Sequence, residues 1–171
     1  IEYNASFAVV CKYLRMGYLW EKVRVQGGAY GAFVVCNQHT GLLAFASYRD
    51  PNTERTLSVF DEAAQHIREH TFTKEEIENL CIATLGDRDA YLLPDAKGRL
   101  AFSRYITHNT LEKRQKERDE IFSTTSKDIK AMADILSLLK EHGSIVGLGG
   151  VHLEEYAKKQ HYIIHYVDKY E

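Results

Sequence analysis

The residues best suited to chemistry are His66, Glu69 and His70, which lie in the string His66-Ile-Arg-Glu-His70. This string matches H-x-x-E-H, the inverted zinc-peptidase signature. Two imidazoles four residues apart on a helix can hold one zinc ion, and the glutamate between them can deprotonate a zinc-bound water. A third ligand would have to come from elsewhere in the chain, and Glu154 and Glu155 are the candidates.

The same string also has a simpler interpretation. Only three of its positions are specified, and a chain with eight histidines and many glutamates matches such a pattern easily by chance. The predicted helix around it buries one stripe of apolar residues: Leu57, Phe60, Ala64 and Ile67. Because His66 and His70 lie off that stripe, we expect them to be partly exposed at a solvated helix end. A self-contained zinc site using His66, Glu69 and His70 is the alternative.

A second candidate site lies where Arg24 precedes Tyr30 by six residues, with Gly27 and Gly28 between them. Glycines allow a tight turn and let another backbone approach closely. Arg24 would then lie near a helix end and Tyr30 on the first strand of a hairpin. A cation and a phenol in one cleft can bind a peptide carbonyl or carboxylate. As a bare pattern, it is better explained by a turn followed by a buried aromatic residue.

Composition limits the classes of function. The chain has 171 residues, of which 44% are apolar and 27% charged, as is typical of one globular domain. A net charge of −2 provides no basic surface for nucleic acid, and the apolar runs are too short for a membrane span. The three cysteines form no C-x-x-C pair, which favours buried thiols. Gly147-Leu-Gly-Gly150 fits the dinucleotide fingerprint poorly and is interpreted as a turn.

The elements that must position these residues follow from apolar periodicity and turn residues. We predict an α+β fold, with helices layered on one face of a mixed or antiparallel sheet. Asp50 or Asn52 is expected to cap the second helix, and Thr73 with Glu76 to form a capping box. Residues 87–98 are predicted to form a loop. The predicted helices are 5–22, 52–70, 73–86, 100–108, 110–120, 125–140 and 152–160, and the predicted strands are 29–36, 42–48, 144–148 and 162–170.

The run Leu19-Trp-Glu-Lys-Val-Arg-Val-Gln-Gly-Gly-Ala-Tyr-Gly31 resembles the C-terminal domain of presequence-protease-like zinc metallopeptidases. These form the M16C branch of the pitrilysin/insulysin clan. The resemblance covers roughly residues 13–151 and continues through further motifs in the same order: Ser47–Asn52, Thr56-Leu57, Gly86-Asp87, Tyr91–Gly98, Arg114–Arg118, Ile121–Thr125 and Lys127-Asp128.

The resemblance implies a pitrilysin/LuxS-like metallohydrolase fold and a larger peptidase of four related domains, of which residues 1–171 would be one domain. The four domains enclose a chamber that admits short unstructured peptides. Zinc and its ligands belong to the N-terminal domain, so no metal is expected in this chain. The C-terminal domain contributes an arginine and a tyrosine to the substrate backbone, which correspond here to Arg24 and Tyr30. Gly27 and Gly28 set the bend, and Gly28 and Ala29 expose edge backbone for β-augmentation.

The expected partners are therefore the other domains of the parent peptidase and unstructured peptides, without nucleic acid or membrane. The resemblance implies a mitochondrion, a plastid-type organelle or a bacterial cytoplasm. Three functions remain open. The chain is a site-completing domain that is inactive alone, a small zinc hydrolase using the His66–His70 string, or a non-catalytic scaffold or partner subunit.

Overall fold

A computed structural model describes residues 3–37 and 40–166. Within these residues helices predominate, and one β-hairpin interrupts them early in the chain. The elements are α1 (Ser6–Tyr13), two π-helical segments (Leu14–Tyr18 and Trp20–Val25), β1 (Gly31–Asn37), β2 (Leu42–Tyr48), α2 (Thr53–Glu69), α3 (Lys74–Arg88), α4 (Pro94–Ile106), α5 (Leu111–Phe122), α6 (Ser126–His142) and α7 (Val151–Lys159).

The first helix changes its period after α1. Buried residues then recur at intervals of five: Tyr13, Tyr18 and Val23 form one row, and Leu14 and Leu19 form another. A π-helix closes its hydrogen bonds between residues five apart, so both rows stay on the core side of the helix. The sequence correctly predicted a helix here, but its 3.6-residue period is wrong beyond Tyr13.

The hairpin forms as predicted, with β1 and β2 antiparallel from the Gly31–Tyr48 pair to the Asn37–Leu42 pair. Alternate residues of β1, Ala32 and Val34, are buried and belong to the main core. The opposite face carries exposed apolar side chains: Phe33, Val35, Leu42 and Tyr48. Helices therefore cover one face of an antiparallel sheet, and the α+β prediction is confirmed.

The sheet is smaller than predicted. Residues 143–149 are irregular and exposed, and residues 162–166 are also irregular, so neither predicted late strand forms in this part of the chain. The rest of the second one, residues 167–170, lies outside the described residues. A strand must pair its backbone groups with a neighbour, and the hairpin is the only sheet among the described residues.

The predicted loop over 87–98 is also too long. Helix α4 already begins at Pro94, because proline is well tolerated in the first turn of a helix, where its missing N–H has no intrahelical partner.

Two apolar clusters stabilise the described part of the chain. The larger one joins the first helix, β1, α2 and α6, and includes Leu14, Ile67, Ile129 and Met132, each fully buried. The smaller one joins α1, α3 and α5. The side chain of Arg68 also connects α2 with α6, because it donates to the Ala133 carbonyl at 3.3 Å.

Helix caps follow the sequence only in part. Thr125 and Asp128 form a complete capping box at α6. At α3, Thr73 accepts the backbone N–H of Glu76 at 3.2 Å. The carboxylate of Glu76 contacts His70 instead of closing the box. Nowhere in residues 3–37 and 40–166 is a helix both long enough and apolar enough to cross a membrane.

Candidate functional site

The predicted site is built on a tight turn at the end of the first helix. The N–H of Gly28 donates to the Arg24 carbonyl at 2.9 Å, and the N–H of Ala29 donates to the Val23 carbonyl at 3.1 Å. A side chain at Gly27 would collide with the Val23 carbonyl, and Gly28 has φ +79°. Each glycine is therefore required for a different reason, one by close approach and the other by left-handed backbone.

A second loop, at the end of β2, supports this turn. The N–H of Tyr30 donates to the Arg49 carbonyl at 3.3 Å, and the Asn52 side chain donates to the Gly27 carbonyl at 2.7 Å. Asn52 is the N-cap residue of α2, but its side chain makes no cap hydrogen bond. The expected capping role is thus corrected: Asn52 connects α2 to the turn.

The side chains of Arg24 and Tyr30 lie at the two ends of the turn, each on its own aromatic partner. The Arg24 guanidinium lies 3.9 Å from the centre of the Trp20 ring. Tyr30 is 66% exposed, and its ring meets that of Tyr48 edge-on at 6.0 Å. The interpretation of Tyr30 as a buried aromatic is therefore wrong. Arg49 lies over both tyrosines, 5.7 Å from the ring centre of Tyr30 and 5.3 Å from that of Tyr48.

This surface carries the guanidinium groups of Arg24 and Arg49. Among the described residues, neither Arg24 nor Arg49 forms an ion pair with a carboxylate. A guanidinium stacked on an aromatic ring keeps its N–H edge available for an acceptor. Together with the exposed Tyr30 hydroxyl, this arrangement can bind a carbonyl or carboxylate oxygen.

Three residues of this surface, Trp20, Tyr48 and Arg49, had no site role predicted from the sequence. The first belongs to the run Leu19–Gly31 and the others to Ser47–Asn52, so both motifs pointed to the region. Trp20 contacts Arg24 four residues along the same helix, whereas Tyr48 and Arg49 reach Tyr30 only across the folded hairpin.

The backbone of the turn has few free donors. The N–H groups of Gly28, Ala29 and Tyr30 all donate within the chain. A peptide that paired with Gly28 and Ala29 would therefore have to donate its own N–H groups to their carbonyl oxygens.

Replacing Gly28 with alanine should lower the free energy of unfolding by about 1–2 kcal/mol, because a Cβ disfavours left-handed backbone. Gly17 is the matched control, since it lies in a helical segment and a Cβ there would meet nothing within 4 Å. Gly17→Ala should raise the free energy of unfolding by about 0.5–1 kcal/mol. Urea unfolding of both variants measures the difference, and equal effects would contradict a left-handed Gly28.

The His66–His70 string lies in a half-buried aromatic cluster. Nε2 of His66 is hydrogen-bonded to the Tyr13 hydroxyl at 2.9 Å, and the His66 ring stacks on Tyr18 at 4.3 Å. His70 contacts the Glu76 carboxylate at 3.0 Å and packs against Phe72. The expected partial exposure of the two histidines is confirmed, since both are half-buried. The first helix and the start of α3 nevertheless pack against them, so they do not lie at a fully solvated helix end.

The donor set of this cluster does not fit a catalytic zinc. The Nε2 atoms of His66 and His70 are both engaged, and Glu69 accepts a hydrogen bond from Gln65 on the exposed side. Glu154 is bonded to Lys158 and to Tyr166. Over the described ranges, no group of three or more histidine, cysteine, aspartate or glutamate side chains could hold a metal ion.

Burial of His66 should make stability depend on pH. Burial lowers its pKa below the ordinary value of 6.5, and the nearby charges of His70 and Lys22 lower it further, whereas Glu69 raises it. Between the lowered pKa of His66 in the folded chain and its ordinary value in the unfolded chain, the unfolded chain binds more protons. The free energy of unfolding should therefore fall as pH drops below about 6.5. Urea unfolding at about pH 7.5 and about pH 5.5 measures this loss.

The variant His66→Gln should weaken that pH dependence, whereas His152→Gln, at an exposed histidine of α7, should leave it unchanged. An identical pH dependence in wild type and His66→Gln would show that protonation of His66 does not contribute.

Comparison with known proteins agrees with the predicted resemblance. The family model described as PreP C-terminal domain matches residues 1–149. The match starts before residue 13, where the resemblance was expected to begin, and ends close to the expected residue 151.

Relatives at 30% identity or more cover most of the chain. Presequence protease 1, chloroplastic/mitochondrial, of Arabidopsis thaliana is 37% identical over 147 residues, which is 86% of this chain and 14% of the relative. Presequence protease, mitochondrial, of Emericella nidulans is 32% identical over 85% of this chain and 14% of the relative. Protein HypA of Clostridium perfringens is 32% identical over 86% of this chain and 15% of the relative.

The chain thus spans about one-seventh of the length of these relatives. The family match covers the turn, the hairpin and helices α1 to α6. This chain belongs to the PreP C-terminal domain family.

Proposed function

We propose that this chain is the C-terminal, non-zinc domain of a zinc endopeptidase of the M16C branch of the pitrilysin/insulysin clan. Residues 1–171 would form one of four domains that enclose a chamber and degrade short unstructured peptides. The observation that carries the proposal is the family match over residues 1–149. Relatives named presequence protease, each about seven times longer than their aligned part, support a multidomain parent.

In this proposal Arg24 and Tyr30 bind the substrate backbone next to the scissile bond. The Arg24 guanidinium would donate to a peptide carbonyl or to a terminal carboxylate, which suits its planar set of donors. The Tyr30 hydroxyl would donate to the substrate and stabilise charge that develops in the transition state. Support comes from the 66% exposure of Tyr30 and from the absence of any hydrogen bond to its hydroxyl from the described residues.

The turn would hold the two side chains at a fixed spacing. Gly27 and Gly28 allow the reversal, and Asn52 fixes the turn from the neighbouring loop. Gly28 and Ala29 would accept hydrogen bonds from an extended peptide through their carbonyl oxygens, as in β-augmentation.

Zinc would be bound outside this chain, since the histidines and glutamates described above do not form a catalytic site. When bound in another domain, it would supply a polarised carbonyl and an activated water. The part assigned to this chain is to bind and orient the peptide with Arg24 and Tyr30.

The experiment compares the 171-residue chain with the complete peptidase on an unstructured, internally quenched fluorogenic peptide. We expect hydrolysis by the complete peptidase that a chelator abolishes, and none by the chain alone. Elemental analysis should find no stoichiometric zinc in the chain. If the chain alone hydrolyses the peptide, and both a chelator and His66→Ala abolish that activity, the chain is a small zinc hydrolase and the proposal is wrong. A folded complete peptidase without activity would favour a non-catalytic scaffold.

The names of the plant and fungal relatives support a mitochondrion or plastid-type organelle as the site of this function. A bacterial cytoplasm is the alternative, supported by the relative from Clostridium perfringens. Fractionation of the source cells, with an antibody against this domain, would distinguish the two.

A further inference from the structure

Arg49 combines two unusual features at the end of β2. Its backbone has φ +48°, in the left-handed region that a residue with a Cβ seldom adopts. Glycine would occupy this conformation at lower cost. Strained backbone at a non-glycine residue is common at functional sites, where the surrounding contacts hold it in place.

The side chain of Arg49 provides contacts with two aromatic rings. Its guanidinium lies within cation–π range of both, 5.7 Å from the centre of Tyr30 and 5.3 Å from that of Tyr48. The two rings meet edge-on at 6.0 Å with an interplanar angle of 79°. The carbonyl of Arg49 also accepts the N–H of Tyr30. Arg49 therefore contacts Tyr30 through both its backbone and its side chain.

Neither an ion pair nor the chain reversal accounts for an arginine at this position. Arg49 forms no ion pair with a carboxylate anywhere in the described ranges. The reversal of the chain itself does not require a side chain. Since the Tyr30 ring is largely exposed, few contacts besides those with Arg49 and Tyr48 restrain it.

We propose that Arg49 is a positioning residue for Tyr30: its stacked guanidinium and left-handed backbone hold the phenol in the orientation in which it meets a peptide. The inference rests on the proposed function of Tyr30. It assigns a role to a residue that is distant from the turn along the chain, through contacts that exist only once the hairpin has formed.

Arg49→Gly is the sharpest test, because it removes the side chain and relieves the backbone at the same time. In the complete peptidase, Arg49→Gly should lower kcat for hydrolysis of the quenched peptide by about 3- to 30-fold, the rate equivalent of a cation–π contact. KM should change little. The midpoint of thermal unfolding should not fall, because glycine suits the left-handed backbone. Arg49→Lys, which keeps the charge, should restore part of kcat.

A matched control is His108→Gly. His108 has φ +50° and lies between α4 and α5, far along the chain from the turn. This variant therefore relieves the same left-handed backbone strain without changing a contact of Tyr30. It should leave both kcat and KM unchanged. A loss of kcat in His108→Gly equal to that in Arg49→Gly would overturn the proposal, since the effect would then come from backbone relief.

Combination with Tyr30→Ala distinguishes positioning from direct binding. If Arg49 acts through Tyr30, Arg49→Gly should have no further effect on kcat in the Tyr30→Ala background. A full additional loss would overturn the positioning role and point to a direct contact between Arg49 and the peptide. If Tyr30→Ala lowers kcat but Arg49→Gly keeps the wild-type kcat, the inference about Arg49 is overturned while the proposed function of Tyr30 stands. Wild-type activity in Tyr30→Ala would overturn the proposed function and this inference together.

Discussion

Replacing Tyr30 with phenylalanine should lower kcat of the complete peptidase by about 10²–10³-fold, the usual effect of losing one donor to a developing oxyanion. KM should change little, because an interaction made mainly in the transition state affects kcat and kcat/KM equally. The measurement is steady-state hydrolysis of the quenched unstructured peptide. Phenylalanine keeps the ring and so preserves the contacts with Tyr48 and Arg49.

Two comparisons make this prediction specific. Tyr105→Phe removes a hydroxyl from a tyrosine that is more accessible than Tyr30, 80% exposed on α4, and should have wild-type kinetics. Because the Tyr30 hydroxyl has no hydrogen-bond partner among the described residues, Tyr30→Phe should also unfold at the wild-type urea concentration. Wild-type kcat in Tyr30→Phe would show that this hydroxyl does not act in the transition state, whereas a raised KM alone would indicate ground-state binding.

Leu14→Ala should lower the free energy of unfolding by about 2–5 kcal/mol, the usual range for removing a large apolar side chain from a core. Leu14 is fully buried in the larger cluster, which joins the first helix to β1, α2 and α6. Leu14 lies in one row with Leu19 on the core side of the first helix. Leu14→Ala therefore leaves a cavity beside this helix, which also carries Arg24. Urea unfolding of the 171-residue chain measures the loss.

Met16→Ala is the matched control in the same π-helical segment, since Met16 is 59% exposed. It should change the free energy of unfolding by no more than about 0.5 kcal/mol, as for most surface substitutions. Similar values for the two variants would mean that Leu14 does not lie in the core. Packing of the first helix on the core would then not support the turn at its end.

Local signals predicted the hairpin and most helices well. Asn37-Gln-His-Thr-Gly41 separates two apolar runs, and strands form on both sides of it. Apolar periodicity predicts α6 from residue 125, and the structure adds a capping box in which Thr125 and Asp128 satisfy two backbone donors. Such elements depend on residues within a few positions of each other, so the spacing of these residues is enough to predict the element.

The predictions that failed depended on more than the local pattern of residue types. Residues 144–148 are apolar enough for a strand, but without a neighbouring strand they stay irregular. Their exposure also leaves Val146 and Leu148 in solvent. Thr73 and Glu76 have the spacing of a capping box, yet His70 takes the glutamate. Apolar periodicity likewise did not reveal that the first helix changes to π-helical hydrogen bonding after Tyr13.

For this protein, the sequence by itself determined the family and the turn. The motifs from Leu19 onwards identify the family, and the placing of Gly27 and Gly28 between Arg24 and Tyr30 specifies a tight reversal through covalent neighbours. Only the tertiary structure decided the surroundings of these side chains. It packs the half-buried His66 against Tyr13 and Tyr18, leaves Tyr30 exposed, and places Arg49 over it, because residues distant in the chain meet only when strands pair and helices pack.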